Sequence, residues 1–308
     1  YPQPKYRWFK DGIALSTELT SENFWRIQSP KRKDAGVYYC VATNDVGSVF
    51  SERVTFSVAY MGIFDDQTEK VITVEYGGAA VLELPEIESH PEPDVTWLTN
   101  DAQIPYDIKY AVTMKKLLIL NAMTSDEGLY RARAMNTQIG KEEYSPFFRL
   151  KVNGDQSIEV PPSIVIAPKD TKIIKDQAVS YLDCIANARS LHDLRTIWTK
   201  DGIPIENARI SYSFNDLWNR TLELISANET YTGVYTCSVY LRSGGYPVIN
   251  ASATVEVFEK PTFNTDLKRE THGEYGSTVR IPCDAVGVPM PNIQWFHNAE
   301  SIAQEIGT

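Results

Sequence analysis

The chain has 308 residues, enough for two to three domains of ordinary size. Its 30 basic and 40 acidic residues give a net charge of −10, which argues against a nucleic-acid-binding protein, because such proteins present a basic face. With 43% apolar and 23% charged residues, the composition is that of a globular protein. No apolar run approaches the ~18 residues of a transmembrane helix and no leader opens the chain, so we expect targeting and anchoring parts to lie outside it.

Four of the six tryptophans recur at the spacing of one β-sandwich. The intervals between them are 89, 101 and 97 residues, and the four are Trp8, Trp97, Trp198 and Trp295. The first and third open nearly identical segments, Trp-Phe-Lys-Asp-Gly and Trp-Thr-Lys-Asp-Gly. A period of this length predicts a tandem array of similar domains, which we number from one to four in chain order.

A second motif follows each of the first three tryptophans. Its copies are residues Asp34–Cys40, Asp126–Ala132 and Tyr231–Cys237. This is the D-x-G-x-Y-x-C turn and strand of the immunoglobulin fold, with a tyrosine two residues before the second cysteine. Runs of period-2 alternation agree with strands, and no segment has the length and period of a substantial helix. We therefore predict an all-β chain of four tandem immunoglobulin (I-set-like) sandwiches, each built around one of the tryptophans.

The first repeat (residues 1–59) has one cysteine, Cys40, whose mate would precede residue 1. We expect this repeat to lack its first strands and Cys40 to be unpaired for that reason, with a free reactive thiol as the alternative. The basic cluster Lys31-Arg32-Lys33 lies in the turn before the motif. A solvated surface turn is the favoured interpretation, and binding to heparan sulfate or phosphate is the alternative.

The second repeat (residues 60–152) is predicted to be a complete sandwich without a disulfide. Counting back 12 residues from Trp97 puts Pro85 at the first cysteine position, and Ala132 stands at the second. Its stability is expected to depend on Trp97, the Leu117–Leu120 run and Tyr130, packed without a covalent link.

The joints between the repeats differ in length. Counted between strand residues, they span 6, 12 and 6 residues: Val58 to Phe64, Val152 to Ile164, and Val257 to Phe263. The long linker at residues 153–162 contains a glycine turn and about six spare residues. We hypothesise that the chain folds back here, laying the second repeat against the third and the first against the fourth. An extended rod with a flexible linker is the alternative.

The third repeat (residues 163–258) has both cysteines and its tryptophan. A Cys184–Cys237 disulfide would close a loop of 53 residues, contributing about 4 kcal/mol by loop-closure entropy. Three N-glycosylation sequons fall in this repeat, at Asn219, Asn228 and Asn250. Some of them could be silent, but three beside a disulfide favour a secreted or cell-surface protein.

The fourth repeat (residues 259–308) has Cys283 twelve residues before Trp295, and the sequence ends 13 residues after that tryptophan. We expect this repeat to be truncated and Cys283 to be unpaired for that reason. The alternation in Val279–Cys283 predicts a strand.

No constellation of residues indicates catalysis or metal binding. The histidines, on predicted loops and without metal-ligand spacing, are His90, His192, His272 and His297. The adjacent pairs Asp65-Asp66 and Glu142-Glu143 would point to opposite faces of a strand. We predict that the chain is not an enzyme and has no cofactor, no small-molecule substrate and no nucleic-acid partner.

Several segments closely resemble the Sidekick family of immunoglobulin-superfamily adhesion proteins. The matching segments are Val58–Gly62, Asp183–Arg189 and Trp198–Gly202. The resemblance covers essentially the whole chain, and the missing cysteines of the second repeat, at Pro85 and Ala132, are its most specific part. Tyr231 departs from the motif, which usually has Asp before the glycine.

This resemblance implies the amino-terminal part of a large single-pass adhesion receptor whose first four domains form a horseshoe. It also implies homophilic recognition of the same protein on a facing cell, including at neuronal or synaptic contacts and junctions. The expected location is the extracellular face of the plasma membrane. The sequence does not identify the interface residues. The alternative is a heterophilic, ligand-binding ectodomain of an immunoglobulin-type receptor kinase or phosphatase.

Overall fold

The structure is a computed structural model that describes residues 2–154, 160–175, 179–205, 210–212, 217–264, 271–297 and 300–302. Residues 155–159 of the predicted linker therefore lie outside the described residues. Within the described ranges the chain forms 29 strands and four three-residue 3-10 helices: Arg32–Asp34, Thr124–Asp126, Leu191–Asp193 and Glu229–Tyr231. The prediction of an all-β array of immunoglobulin sandwiches is confirmed.

The first repeat contributes one sheet. Its strands are β1 (Lys5–Lys10), β2 (Ile13–Ala14), β3 (Gly36–Asn44), β4 (Gly47–Phe50) and β5 (Val54–Phe56). They pair in the order β2-β1-β3-β4, with β5 also on β3.

The second repeat is a two-sheet sandwich. Its strands are β6 (Tyr60–Phe64), β7 (Lys70–Glu75), β8 (Ala80–Glu83), β9 (Ile87–His90), β10 (Asp94–Thr99), β11 (Ala102–Gln103), β12 (Tyr110–Val112), β13 (Lys116–Ile119), β14 (Gly128–Asn136), β15 (Lys141–Tyr144) and β16 (Phe148–Asn153). The larger sheet has the order β11-β10-β14-β16-β7 with β15 on β14, and the smaller has the order β12-β13-β8. Strands β6 and β9 form a separate two-stranded sheet. Trp97 lies between the two sheets and is almost fully buried.

The third repeat has the same two-sheet plan. Its strands are β17 (Ser163–Ile166), β18 (Thr171–Ile174), β19 (Ser180–Asp183), β20 (Ile185–Asn187), β21 (Leu194–Lys200), β22 (Ile203–Pro204), β23 (Ile210–Tyr212), β24 (Thr221–Leu224), β25 (Gly233–Leu241) and β26 (Ile249–Phe263). The larger sheet has the order β18-β26-β25-β21-β22, and the smaller has the order β19-β24-β23. Strands β17 and β20 form a separate two-stranded sheet.

Strand β26 continues through the third joint. Its first half pairs with β25, and Glu259–Phe263 pairs with a strand of the fourth repeat. The strands of that repeat are β27 (Ala285–Val288), β28 (Trp295–His297) and β29 (Glu300–Ile302). One strand shared by two repeats leaves this joint little freedom to bend.

The predicted strand at Val279–Cys283 is wrong, because the structure has no strand there. A strand needs a hydrogen-bonding neighbour. In the third repeat the corresponding segment, β19, pairs with β24. No described residue of the fourth repeat supplies that neighbour, so the alternating sequence alone does not produce a strand.

Each copy of the motif forms a tyrosine corner. The hydroxyl of the motif tyrosine donates to the backbone carbonyl four residues earlier. The pairs are Tyr38–Asp34 at 2.6 Å, Tyr130–Asp126 at 2.8 Å and Tyr235–Tyr231 at 2.9 Å. Burial raises the pKa of the Tyr130 and Tyr235 hydroxyls well above the ordinary value of 10, so both hydroxyls remain donors.

Tyr231 occupies the motif position that is aspartate in the first two repeats. There, the carboxylates of Asp34 and Asp126 accept the N–H of the residue three positions earlier, at 2.7 and 2.8 Å. In the third repeat the side-chain oxygen of Asn228 instead accepts the N–H of Thr230 at 2.9 Å. Because Asn228 caps the turn in place of an aspartate, the Tyr231 ring packs in the core, where it is buried.

The motif glycine leaves room for an aspartate from the turn that follows the tryptophan strand. The Asp201 carboxylate accepts the N–H of Val234 at 2.8 Å. A Cβ atom at Gly233 would lie 2.5 Å from Asp201 Oδ2, so a larger residue there would displace this carboxylate. Hydrogen bonds from the Lys200 side chain and the Val234 N–H hold the pKa of Asp201 below its ordinary value of 3.8.

Strand register places Leu84, rather than Pro85, at the first cysteine position of the second repeat. The Leu84 N–H donates to the Lys115 carbonyl at 2.9 Å, as the Cys184 N–H donates to the Arg220 carbonyl at 2.7 Å. Counting a fixed 12 residues back from the tryptophan gave Pro85 because the length of the intervening loop varies between repeats. Leu84 belongs to the core cluster that contains Trp97 and Ala132.

Cys184 and Cys237 form a disulfide in the third repeat. Replacing both by alanine should cost the third repeat about 2–5 kcal/mol of unfolding free energy. Hydrogen exchange should then show weaker protection in β19, β24 and β25. Protection of β8, β13 and β14 serves as the internal control, since the second repeat has no disulfide. Equal loss of protection in both repeats would contradict this prediction.

The low pKa of Asp201 predicts a pH dependence for the third repeat. A carboxylate whose folded-state pKa is depressed stabilises the fold above its unfolded value, and this contribution is lost as the pH falls through the folded value. Asp201→Asn should therefore be less stable than the unsubstituted protein at pH 7, and the difference should vanish in strong acid. Chemical denaturation at a series of pH values measures this; a difference independent of pH would refute it.

Candidate functional site: the interdomain bend and the outer sheet faces

The predicted fold-back of the second repeat onto the third is confirmed by a shared apolar cluster. Leu118 and Leu120 of the second repeat are buried in it, together with Ile185 and Leu191 of the third. Leu117, their neighbour in sequence, faces the opposite way into the second-repeat core. The leucine-rich run therefore has two roles, because successive strand residues point to opposite faces: Leu117 supports the second repeat, as expected, and Leu118 joins it to the third.

A side-chain amide joins the backbones of the two repeats. The Oδ1 atom of Asn187 accepts the N–H of Asn121 at 2.7 Å, and its Nδ2 donates to the carbonyl of Gly77 at 2.9 Å. Asn187 is buried, so loss of either bond would leave a buried polar group without a hydrogen-bond partner. A Cβ atom at Gly77 would lie 2.7 Å from the Val160 side chain, so glycine lets the end of the linker approach closely.

A second set of contacts closes the other side of the bend. The rings of Tyr106 and Trp218 lie 5.2 Å apart, and the Arg220 guanidinium lies 4.5 Å from the Trp218 ring. Arg220 also donates to the carbonyl of Ile108 at 3.2 Å. The two repeats are thus held together on both sides of the apolar cluster, which excludes a freely jointed linker.

The second half of the fold-back hypothesis, contact between the first and fourth repeats, stays a prediction. Among the parts of the chain that the structure describes, no hydrogen bond or ion pair joins those two repeats.

The basic cluster Lys31-Arg32-Lys33 is more than a solvated turn, because its central residue spans the first joint. The Arg32 guanidinium lies 3.7 Å over the Tyr60 ring and forms a 2.7 Å ion pair with Glu88 of the second repeat. Lys31 and Lys33 are exposed. This stacked and paired arginine holds the first repeat against the second.

The outer face of the larger sheet in the second repeat presents an arginine between aromatic rings. The Arg131 guanidinium lies 4.4 Å from the Tyr144 ring and 5.0 Å from the Phe147 ring. It also pairs with Asp101 at 2.5 Å. These interactions order the arginine at the surface before any partner arrives.

The outer face of the first repeat has a comparable aromatic cluster. Phe9 and Tyr39 are stacked with ring centroids 4.9 Å apart, and Phe50 follows at 6.2 Å from Tyr39. The Arg53 guanidinium lies 5.6 Å from the Tyr39 ring. Phe50 is 68% exposed, so this cluster presents a large apolar side chain to solvent.

The centre of the outer face of the third repeat is chemically different. The Thr236 and Ser252 hydroxyls share a hydrogen bond at 2.8 Å, and Asn250 beside them is exposed. Ile197 and Val234 are the partly exposed apolar residues of this face. An arginine and an aromatic residue also occur on this face, since Arg195 pairs with Tyr240, but the row formed by Ile197, Ser238 and Asn250 has neither.

The predicted site residues fall into distinct environments. Trp97 and Trp198 are buried, whereas Trp8 and Trp295 are partly exposed. Cys40 and Cys283 are unpaired and partly exposed. Of the sequon residues, Asn219 and Asn228 are partly buried and Asn250 is exposed.

The prediction that all four histidines lie on loops is wrong. His90 ends strand β9, and His297, whose side chain lies outside the description, ends β28.

Within the residues described, no three His, Cys, Asp or Glu side chains are grouped to hold a metal ion.

The second and third repeats enclose a cleft of about 570 Å³ between them. Tyr110 lines this cleft, and burial raises the pKa of its hydroxyl.

No described helix is long and apolar enough to cross a membrane.

Sequence reasoning missed Leu118, Leu120 and Asn187 as contact residues of the bend. The signal for the leucines was the Leu-Leu-Ile-Leu run itself, since a strand with no polar positions is one buried on both faces. Asn187 carried no such signal, because a buried amide is indistinguishable in sequence from an exposed one.

Leu118→Asp should open the bend without unfolding the second repeat. The charge would be buried between repeats in the folded-back form, so the extended form is favoured. Small-angle scattering should then show a larger maximum dimension. The matched variant Leu117→Asp should instead unfold the second repeat, seen as loss of its thermal transition. An unchanged maximum dimension for a folded Leu118→Asp protein would contradict this assignment.

Comparison with known proteins agrees with this architecture. The family model of the Immunoglobulin I-set domain matches residues 1–58 and 64–152. Protein sidekick of Drosophila melanogaster is 50% identical over 307 residues, covering 99% of this chain and 14% of its own length. Protein sidekick-1 of Mus musculus is 33% identical over 303 residues, covering 97% and 14%. The chain thus spans 14% of the length of these curated relatives.

Solved structures give the same result. Sidekick-1 immunoglobulin domains 1–4 superpose with a TM-score of 0.79 at 32% identity, covering 98% of this chain and 78% of that one. The insect immune protein hemolin shares the fold, with a TM-score of 0.70 at 21% identity and coverage of 97% and 81%. The identity and coverage together show that this chain belongs to the Sidekick family.

Proposed function

We propose that this chain is part of the extracellular region of a single-pass transmembrane protein that mediates homophilic recognition between cells. The partner is the same protein on a facing cell, and the sites of action are cell–cell junctions and neuronal or synaptic contacts. The observation that carries the proposal is the pair of exposed arginine–aromatic clusters on the outer faces of the first two repeats. Family membership supports a non-enzymatic role.

The composition of these clusters suits a protein interface. Aromatic residues and arginine are enriched where most binding free energy is concentrated. Arg131 is already held between Tyr144 and Phe147, so little conformational entropy is lost when it is buried. Phe50 projects from its cluster with most of its surface exposed, as an anchor for a partner's pocket would.

The charges of the first two repeats favour a self-complementary contact. Residues 1–59 contain eight Lys or Arg and six Asp or Glu, whereas residues 60–152 contain nine and fifteen. The first repeat is therefore net positive and the second net negative. A twofold contact that places the first repeat of one copy over the second repeat of the other would pair opposite charges twice.

The bend and the first joint support such a contact by fixing its geometry. Arg32 of the first repeat contacts Tyr60 and Glu88 of the second, and the Leu118 cluster joins the second repeat to the third. A surface whose parts are already oriented loses less freedom on binding than a flexible chain does.

Phe50→Ala should weaken self-association by about 30-fold or more, the effect expected of an interface anchor. Sedimentation equilibrium of the complete ectodomain measures the dimer constant, and bead aggregation reports adhesion. The matched control is Ile203→Ala in the third repeat, an equally exposed apolar residue (70% against 68%), which should leave both unchanged.

Two results would count against the proposal. An intact ectodomain that does not self-associate would refute homophilic binding, and binding to cells that lack the protein would then favour the heterophilic alternative. Equal effects of Phe50→Ala and Ile203→Ala would remove the outer face of the first repeat from the interface.

A further inference from the structure

One surface position differs in chemistry between the repeats although the strand pairing around it is the same. In each of the first three repeats, the residue at this position pairs across two antiparallel strands with the residue that follows the second cysteine position. It lies on the outer face of the sheet that contains the motif strand. The pairs are Val41–Phe50, Arg133–Tyr144 and Ser238–Asn250. The position is thus an exposed aromatic residue in the first two repeats and the acceptor of a glycosylation sequon in the third.

Asn250 has room for carbohydrate on this face. It is exposed in β26, and the sequon hydroxyl of Ser252 lies on the same face in a hydrogen bond with Thr236. Ile197, 42% exposed, is in the same row of the sheet, across Ser238. A glycan leaving Asn250 would therefore lie over the partly apolar centre of the outer face.

The other two sequons are more enclosed. The side-chain oxygen of Asn228 accepts both the N–H and the hydroxyl of Thr230 in the motif turn. Asn219 lies between Trp218 and Arg220, whose side chains contact the second repeat. Only Asn250 projects from the middle of a sheet face.

We propose that Asn250 carries N-linked carbohydrate and that this carbohydrate keeps the outer face of the third repeat out of the homophilic contact. A bulky, hydrated glycan prevents close packing of that face against another protein surface, since its polar groups would have to be dehydrated. Self-association is then confined to the faces where the same position is aromatic. The assignment of the glycan stands alone, whereas its effect on pairing rests on the proposed function.

Glycopeptide mass spectrometry of the secreted ectodomain tests the modification. Asn250 should be occupied in the unsubstituted protein and in Ser252→Thr, which keeps the sequon and the hydroxyl. It should be unoccupied in Ser252→Ala, which keeps the asparagine. An unoccupied Asn250 in the unsubstituted protein overturns the assignment, whatever the adhesion assays show.

Bead aggregation tests the effect on pairing. Ser252→Ala should aggregate within twofold of the unsubstituted protein, because the outer faces of the first two repeats, which make the contact, are unchanged in this variant. Val71→Asn creates a sequon with Thr73 on the outer face of the second repeat, where Val71 is 56% exposed and pairs with Arg149. This variant should lose aggregation, and Val71→Gln, polar but without a sequon, should retain it.

The outcomes separate the two proposals. Loss of aggregation in Ser252→Ala, with unchanged thermal stability and normal aggregation of Ser252→Thr, overturns the exclusion of the third repeat. Normal aggregation of a demonstrably glycosylated Val71→Asn protein overturns the confinement of pairing to the first two repeats. If the unsubstituted ectodomain does not aggregate, the proposed function fails, while occupancy at Asn250 still decides the modification.

Discussion

The arrangement of the repeats depends on strand β13, which is buried on both faces. Leu117 packs toward Trp97 inside the second repeat, and Leu118 packs toward the third. Burying a leucine side chain contributes about 1.5–3 kcal/mol, so Leu118 and Leu120 both favour the folded-back arrangement over an extended one. Folding of the second repeat therefore creates the surface that fixes the bend.

The repeats solve shared structural problems with different side chains. The tyrosine corner has the same geometry in three copies, but Asn228 replaces an aspartate as the cap of the third. The position of the first cysteine is occupied by Cys184 in the third repeat and Leu84 in the second. In each case the backbone geometry is the same, because it pairs backbone N–H and C=O groups that would otherwise be buried without a hydrogen-bond partner.

The outer faces of the repeats differ in side-chain chemistry, because the core does not constrain them. Residues there make no core contacts, so their chemistry is free to vary under the same backbone pairing. Phe50 and Tyr144 present aromatic rings where Asn250 presents an amide. The inner positions define the sandwich, and the outer positions distinguish one repeat from another.

The sequence alone determined features that rest on short-range spacing. The motif around Tyr130 and the Cys184–Cys237 pairing follow from the spacing of residues within one repeat, and the tryptophan period follows from the recurrence of one residue between repeats. These patterns were sufficient for the fold class and the tandem order, and the length of the middle joint was sufficient to suggest a fold-back.

Only the tertiary structure decided which residues make the contacts between repeats. Asn187 meets Gly77 across 110 residues of chain, and Arg32 meets Glu88 across 56. No local pattern encodes such pairs, because they depend on how whole sandwiches are oriented. The same holds for Leu84, whose place at the first cysteine position follows from strand register and not from a count of residues. Spacing along the chain specifies the sandwich, whereas the packing of one sandwich on another specifies the bend and the surfaces it presents.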